Sequence, residues 1–106
     1  MIARLSRVVV AIVLSVVVLA GSLATPAALQ ALLADAANRS GVDRGSLQVL
    51  RTEPAEWSDG GLGCPQAGQF YPQVITPGWL IEVRGGGKIF EYHTDGGDRF
   101  VLCAER

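Results

Sequence analysis

Cys64 and Cys103 are the only two cysteines of the chain, and the compartment they reach decides what they can do. The N-terminus indicates that compartment. Arg4 and Arg7 precede an apolar run from Val8 to Leu14, which continues after Ser15 to Ala20 and is followed by the small residues Gly21, Ser22 and Ala24. A basic stretch, an apolar stretch and a small-x-small sequence, in that order, form a secretory leader. Residues 1–24 are read as a signal peptide cut after Ala24, leaving a domain over residues 25–106. The competing reading is an uncleaved membrane anchor over residues 8–24, short against the roughly 20 apolar residues a spanning helix needs. Either way the domain is extracytoplasmic: secreted, periplasmic or at the cell surface. Two cysteines in an oxidising compartment pair. Closing the chain from Cys64 to Cys103 contributes about 4 kcal/mol by the chain-entropy argument. For a domain of about eighty residues, which buries only a modest core, that is a large share of net stability.

Metal and redox chemistry find less support. A closed zinc site takes four cysteine or histidine ligands, and His93 is the only histidine. No Cys-x-x-Cys motif occurs. No metal and no cofactor are expected. The leader holds two of the nine basic residues and none of the ten acidic ones, so the remainder carries seven against ten, a net charge of −3. No basic stripe exists to release counterions from phosphates, which argues against a nucleic-acid partner and against binding to anionic membranes. Any membrane association would run through an uncleaved leader. The positive mean hydropathy of the whole chain, +0.31, comes largely from the leader.

Pro26 to Ser40 has the spacing of one amphipathic helix. Leu29, Leu32, Leu33, Ala36 and Ala37 share a face, Pro26 suits the first position and Gly41 the stop. Ser46 to Trp57 reads as a strand that Pro54 ends or bends, since proline is excluded from central strands. Ser58 to Pro77 is irregular and glycine-rich. Pro77-Gly78 reads as a turn, followed by strands over Trp79–Arg84, Lys88–Thr94 and Arg99–Cys103. The expected fold is α+β: one N-terminal helix on a three- to four-stranded antiparallel sheet, with one disulfide. Placing Ile81 opposite Phe90 puts Trp79, Ile81, Val83, Phe90 and Tyr92 on one apolar face and leaves Glu82, Arg84, Glu91 and His93 as a charged surface. A two-residue Gly96-Gly97 loop would add Val101 and Cys103 to the Tyr92 face. A three-residue loop would add Phe100 and Leu102 instead. The two-residue loop is the preferred reading.

Glu91, His93 and Asp95 form a candidate polar site, because a carboxylate can orient an imidazole. The serines that such a histidine could activate, Ser40, Ser46 and Ser58, stand in no recognisable nucleophile setting, so no catalytic residue is assigned. Asp59-Gly60-Gly61 lacks the further carboxylates of a calcium loop. Most of the aromatic residues should be core. Trp57 and Tyr71 flank the glycine-rich loop, and with Asp59 and Leu62 they make up the candidate contact surface.

The run Trp57-Ser58-Asp59-Gly60-Gly61-Leu62-Gly63-Cys64-Pro65, followed by Thr76-Pro77-Gly78, Phe90-Glu91-Tyr92-His93-Thr94-Asp95 and Cys103, resembles an uncharacterised family of small exported bacterial proteins. Its pattern is W-x-D-G-x-L-G-C-P … T-P-G … Y-x-Y-H-T-D … C, from which this chain departs at Phe90. The likeness covers about half of the chain. It implies export and a disulfide, and it implies no activity. The order of helix and meander also resembles the exported PepSY domains, which bind or restrain peptidases; this is a likeness of fold alone. The expectation is a monomeric, non-enzymatic interaction module that binds a protein or a cell-envelope component. The alternatives are a secreted peptidase inhibitor and a small hydrolase using His93.

Overall fold

Residues 25–106 are described by a computed structural model. Residues 1–24, read above as a leader, lie outside the described residues. Helix α1 spans Leu29–Ser40. The Pro26–Ala28 segment forms the turn before it, with the Leu29 N–H donating to the Pro26 carbonyl at 3.1 Å, so the helix starts three residues later than the proline suggested. Gly41 ends it in the left-handed conformation, φ 73°, as expected of a C-terminal glycine. A short 3-10 turn at Arg44–Ser46 leads into strand β1, Gln48–Trp57. Strands β2 (Thr76–Gly85), β3 (Lys88–Asp95) and β4 (Phe100–Glu105) complete a four-stranded antiparallel meander in the order β1-β2-β3-β4. No helix among the described residues is long and apolar enough to cross a membrane.

The helix covers one face of this sheet. Ala28, Leu32 and Ala36 pack on Ile81, Val83, Phe90 and Tyr92, all fully buried, with Trp79, Phe100 and Leu102 at the margin. Burying side chains of this size is the main driving force of a small fold. The Tyr92 hydroxyl donates to Asp35 at 2.7 Å and so ties sheet to helix. Burial first, and then this carboxylate, hold the phenol well above the ordinary tyrosine range.

The pairing differs from the expected register by two residues. Ile81 faces Tyr92 and Val83 faces Phe90, closing on Gly85 opposite Lys88. The turn is Gly86-Gly87, with φ 57° and 77°, the left-handed pair that a two-residue hairpin demands. Gly85, paired with Lys88 at the end of β2, is a glycine because Leu47 and Ser40 fill the space where its Cβ would stand. A slide of two residues preserves the side-chain faces, so the core set is unchanged. The second hairpin takes the three-residue loop Gly96–Asp98, not the preferred two-residue one. Asp95 closes it: its amide donates to the Arg99 carbonyl, and its carboxylate accepts from the amides of Gly97 and Arg99 at 2.8 and 3.2 Å. Phe100 therefore meets Tyr92 edge-on, ring centres 5.7 Å apart, and Leu102 lies opposite Tyr92.

Both proline expectations need correction. Strand β1 runs through Pro54, which pairs with Trp79; β1 is an edge strand, where a missing N–H is tolerated. Pro77-Gly78 is not a turn but part of β2, paired with Glu56 and Ala55. The β2–β3 ladder begins only at Gly78, so Pro77 removes no bond to β3.

Glu82, expected on an open charged surface, is only 8 % exposed. Arg51 at 3.2 Å and Arg106 clamp it. The bond from Arg51 is the largest influence holding its carboxyl below the usual glutamate range, with Arg106 adding to it and burial opposing. A carboxyl whose folded value is depressed stabilises the fold above its unfolded value, about 4.3, and loses that contribution as pH falls through the lower folded value. Urea unfolding followed from neutral pH down into that acid range should therefore show less acid-induced loss in Glu82→Gln than in the wild type. Equal loss in both would mean that the clamp contributes nothing.

Candidate functional site

The other face of the sheet is covered by chain without regular structure. After Trp57 the segment 58–64 folds back over the end of β3 and β4, and Cys64 bonds to Cys103 with the Cα atoms 5.7 Å apart. The segment is bonded internally. The Asp59 carboxylate accepts from the Gly61 amide at 2.8 Å, the Gly61 carbonyl from the Cys64 amide at 3.2 Å, and the Pro72 carbonyl from the Gly60 amide at 2.9 Å. The Arg99 guanidinium donates to the Gly60 carbonyl. Gly60, Gly61 and Leu62 are buried.

His93 sits at the centre and is 7 % exposed. Trp57 lies flat on its ring, centroids 4.1 Å apart and planes within 9°. The indole N–H of Trp57 donates to the Thr94 carbonyl at 2.8 Å, the same oxygen from which a Cβ on Gly78 would stand 1.8 Å. Only glycine admits this close approach of β2 and β3. The His93 Nδ1 is 2.6 Å from the Leu62 carbonyl and its Nε2 is 3.0 Å from a Glu91 carboxylate oxygen. Both ring nitrogens thus face oxygen acceptors. The imidazolium donates to both, and its charge then lies against the indole face, a favourable arrangement; the neutral ring donates to one.

The residues singled out in the sequence divide accordingly. Glu91 and His93 are in contact. Asp95 is turned to its hairpin and bonds to neither. Trp57 and Tyr71 are half-buried and engaged within the loop, the Tyr71 hydroxyl accepting from the Gln66 amide at 3.0 Å. Leu62 is fully buried with φ 59°, so its side chain is not offered to a partner, contrary to the expectation of a contact residue. Ser40 bonds to the Ala36 carbonyl at 2.7 Å on the helix side of the sheet, and among the described residues no serine is bonded to His93. The exposed large apolar side chains of the loop are others: Phe70 at 100 %, Val74 at 61 % and Ile75 at 67 %, with Val49 and Leu50 exposed apart from it at the start of β1. Phe70 was expected in the core with most of the aromatic residues. Its position within an irregular, glycine- and proline-punctuated stretch is the one signal that could have marked it.

Removing the imidazole leaves the Leu62 carbonyl without its donor and Trp57 without its stacking partner. His93→Ala should cost about 2–4 kcal/mol in urea unfolding of the oxidised chain. An unchanged unfolding midpoint would mean that the His93 contacts do not hold the loop.

Comparison with known proteins adds one match. The sequence model of the domain of unknown function DUF8738 matches residues 29–103, from the start of α1 to the second cysteine. No curated protein and no solved structure matches the chain. The disulfide, which leaves no free cysteine among the described residues, suits an oxidising, extracytoplasmic setting. The chain belongs to the DUF8738 family.

Proposed function

We propose that this protein is an exported, non-enzymatic interaction module that binds a protein partner through the outer part of its long loop. The observation that carries the reading is the exposure of Phe70, Val74 and Ile75 on one short segment anchored at both ends. Cys64 fixes the segment to β4 on one side, and Thr76 enters β2 on the other. Large apolar side chains held out on an anchored segment are the usual material of a protein contact, and anchoring lowers the entropy lost on binding. The contact surface moves accordingly from the half-buried Trp57 and Tyr71 to these three residues. Asp59 is bonded to Gly61 within the segment 58–64 and is no longer part of that surface.

The hydrolase alternative is the weaker one, because His93 has both nitrogens engaged and its ring covered by Trp57. The peptidase-inhibitor reading is a special case of the proposal. Residues 65–70 are all exposed, next to the staple, as a loop entering a protease cleft would have to be, and the likeness of element order to PepSY domains points the same way.

The test is capture of a partner from the envelope and secreted fractions by the oxidised chain, with Phe70→Ser/Ile75→Ser as the comparison. These side chains make no core contacts, so the double variant should unfold within about 0.5 kcal/mol of the wild type. It should lose at least tenfold in retained partner. Equal retention by both chains would rule out this surface, and screening secreted proteases for inhibition separates the inhibitor from a general binder.

A further inference from the structure

We propose that Cys64, Cys103 and His93 form a zinc site that the disulfide keeps closed and that two-electron reduction opens. The Sγ atoms of both cysteines and a ring nitrogen of His93 all lie within 4.8 Å of one another. Zinc–sulfur and zinc–nitrogen bonds of about 2.3 and 2.0 Å place tetrahedral ligand atoms about 3.5–3.8 Å apart. The imidazole is already within reach of that arrangement. Once the bond between them is gone, the sulfurs have to part to about 3.8 Å, on strand and loop backbones whose Cα atoms are 5.7 Å apart.

Two surrounding groups complete the chemistry. With the ring proton on Nδ1, donated to the Leu62 carbonyl 2.6 Å away, Nε2 becomes the ligand atom once zinc displaces its contact with Glu91; the Nδ1 bond is then the outer-shell bond that metal-binding histidines characteristically make. The Glu91 carboxylate, 3.0 Å from Nε2, is the fourth ligand we assign; it lies outside the group formed by the two sulfurs and the ring nitrogen and reaches the metal by rotation of its side chain. It supplies the donor whose absence from the cysteine and histidine count argued against a metal. Two thiolates, an imidazole and a carboxylate form a borderline-soft set that suits zinc over magnesium or calcium.

The step balances as a dithiol–disulfide exchange. An external dithiol gives up two electrons and two protons and becomes a disulfide. The Cys64–Cys103 bond breaks, and each sulfur takes one of those protons. Zinc then displaces both protons and binds two thiolates, leaving their charge neutralised under the half-buried loop. The site would let the loop stay folded over β3 and β4 in a reducing setting, where the staple is lost.

The experiment uses the chain as it is exported, oxidised or reduced anaerobically with a phosphine, and titrated with cobalt(II) as a spectroscopic probe before displacement by zinc. The reduced wild type should bind one equivalent with a thiolate-to-cobalt charge-transfer band, and the oxidised chain should show none. His93→Gln in the reduced state should weaken binding at least tenfold. Because that substitution also removes loop contacts, Glu91→Gln is measured beside it and should weaken binding severalfold while its oxidised form keeps the wild-type near-ultraviolet circular dichroism. The proposal is overturned if the reduced wild type shows no band, if the oxidised chain binds equally, or if both variants match the wild type.

Discussion

A four-stranded sheet has two faces, and a helix of 12 residues can cover only one of them. The rest of the structure follows from that shortage. On the helix side the arrangement is ordinary: apolar side chains from α1, β2 and β3 meet in one core. On the other side no second helix is available. The chain instead lays an irregular segment over the C-terminal end of β3 and fixes it at three points: a covalent bond to β4, the Leu62 carbonyl on His93, and Trp57 stacked across the imidazole. Irregular backbone buried against a sheet must satisfy its own polar groups. Asp59, the Pro72 carbonyl and Arg99 answer that need for the buried glycines.

The parts of this design that depend on local pattern were legible in the sequence. The 3.6-residue spacing of Leu29, Leu32, Leu33 and Ala36 gives the helix, and Gly41 its end. Alternation along Trp79–Arg84 and Lys88–Thr94 gives the central hairpin and its apolar face. The pairing of Cys64 with Cys103 follows from count and compartment. What the sequence obscured depends on partners far along the chain. Pro54 lies inside a strand because β1 happens to be an edge. Pro77 lies inside one because β3 stops at Asp95. The loop of the second hairpin has three residues because the Asp95 carboxylate caps Gly97 and Arg99, and because Cys103 must face the loop side to meet Cys64.

The candidate site was legible only in its components. Glu91 and His93 are two apart on one strand, so their contact could be read from alternation alone. That Trp57 would lie on His93 could not, since it depends on β1 and β3 meeting across β2 and on Gly63, where a Cβ would stand 2.8 Å from the indole. Leu62, an apolar residue in a glycine-rich loop, looked like an exposed anchor. Its positive φ instead turns it inward and aims its carbonyl at the imidazole. The exposed apolar residues follow it, past the staple, where the segment 65–75 no longer has a sheet face to cover.

The central claim is that segment 58–64 is a second layer of the domain, held on the sheet by the disulfide and the His93 contacts and separable from the helix-side core. Amide hydrogen exchange read by mass spectrometry, on the oxidised and the reduced chain, tests it directly. The account predicts that in the oxidised chain the amides of Gly60, Leu62 and Cys64 exchange slowly, though each lies outside helix and strand. On reduction in the absence of metal, their protection should fall while that of β2 and β3 persists. Fast exchange across residues 58–64 in the oxidised chain would contradict it, because the segment would then be a surface loop tied at one point and not a layer of the fold.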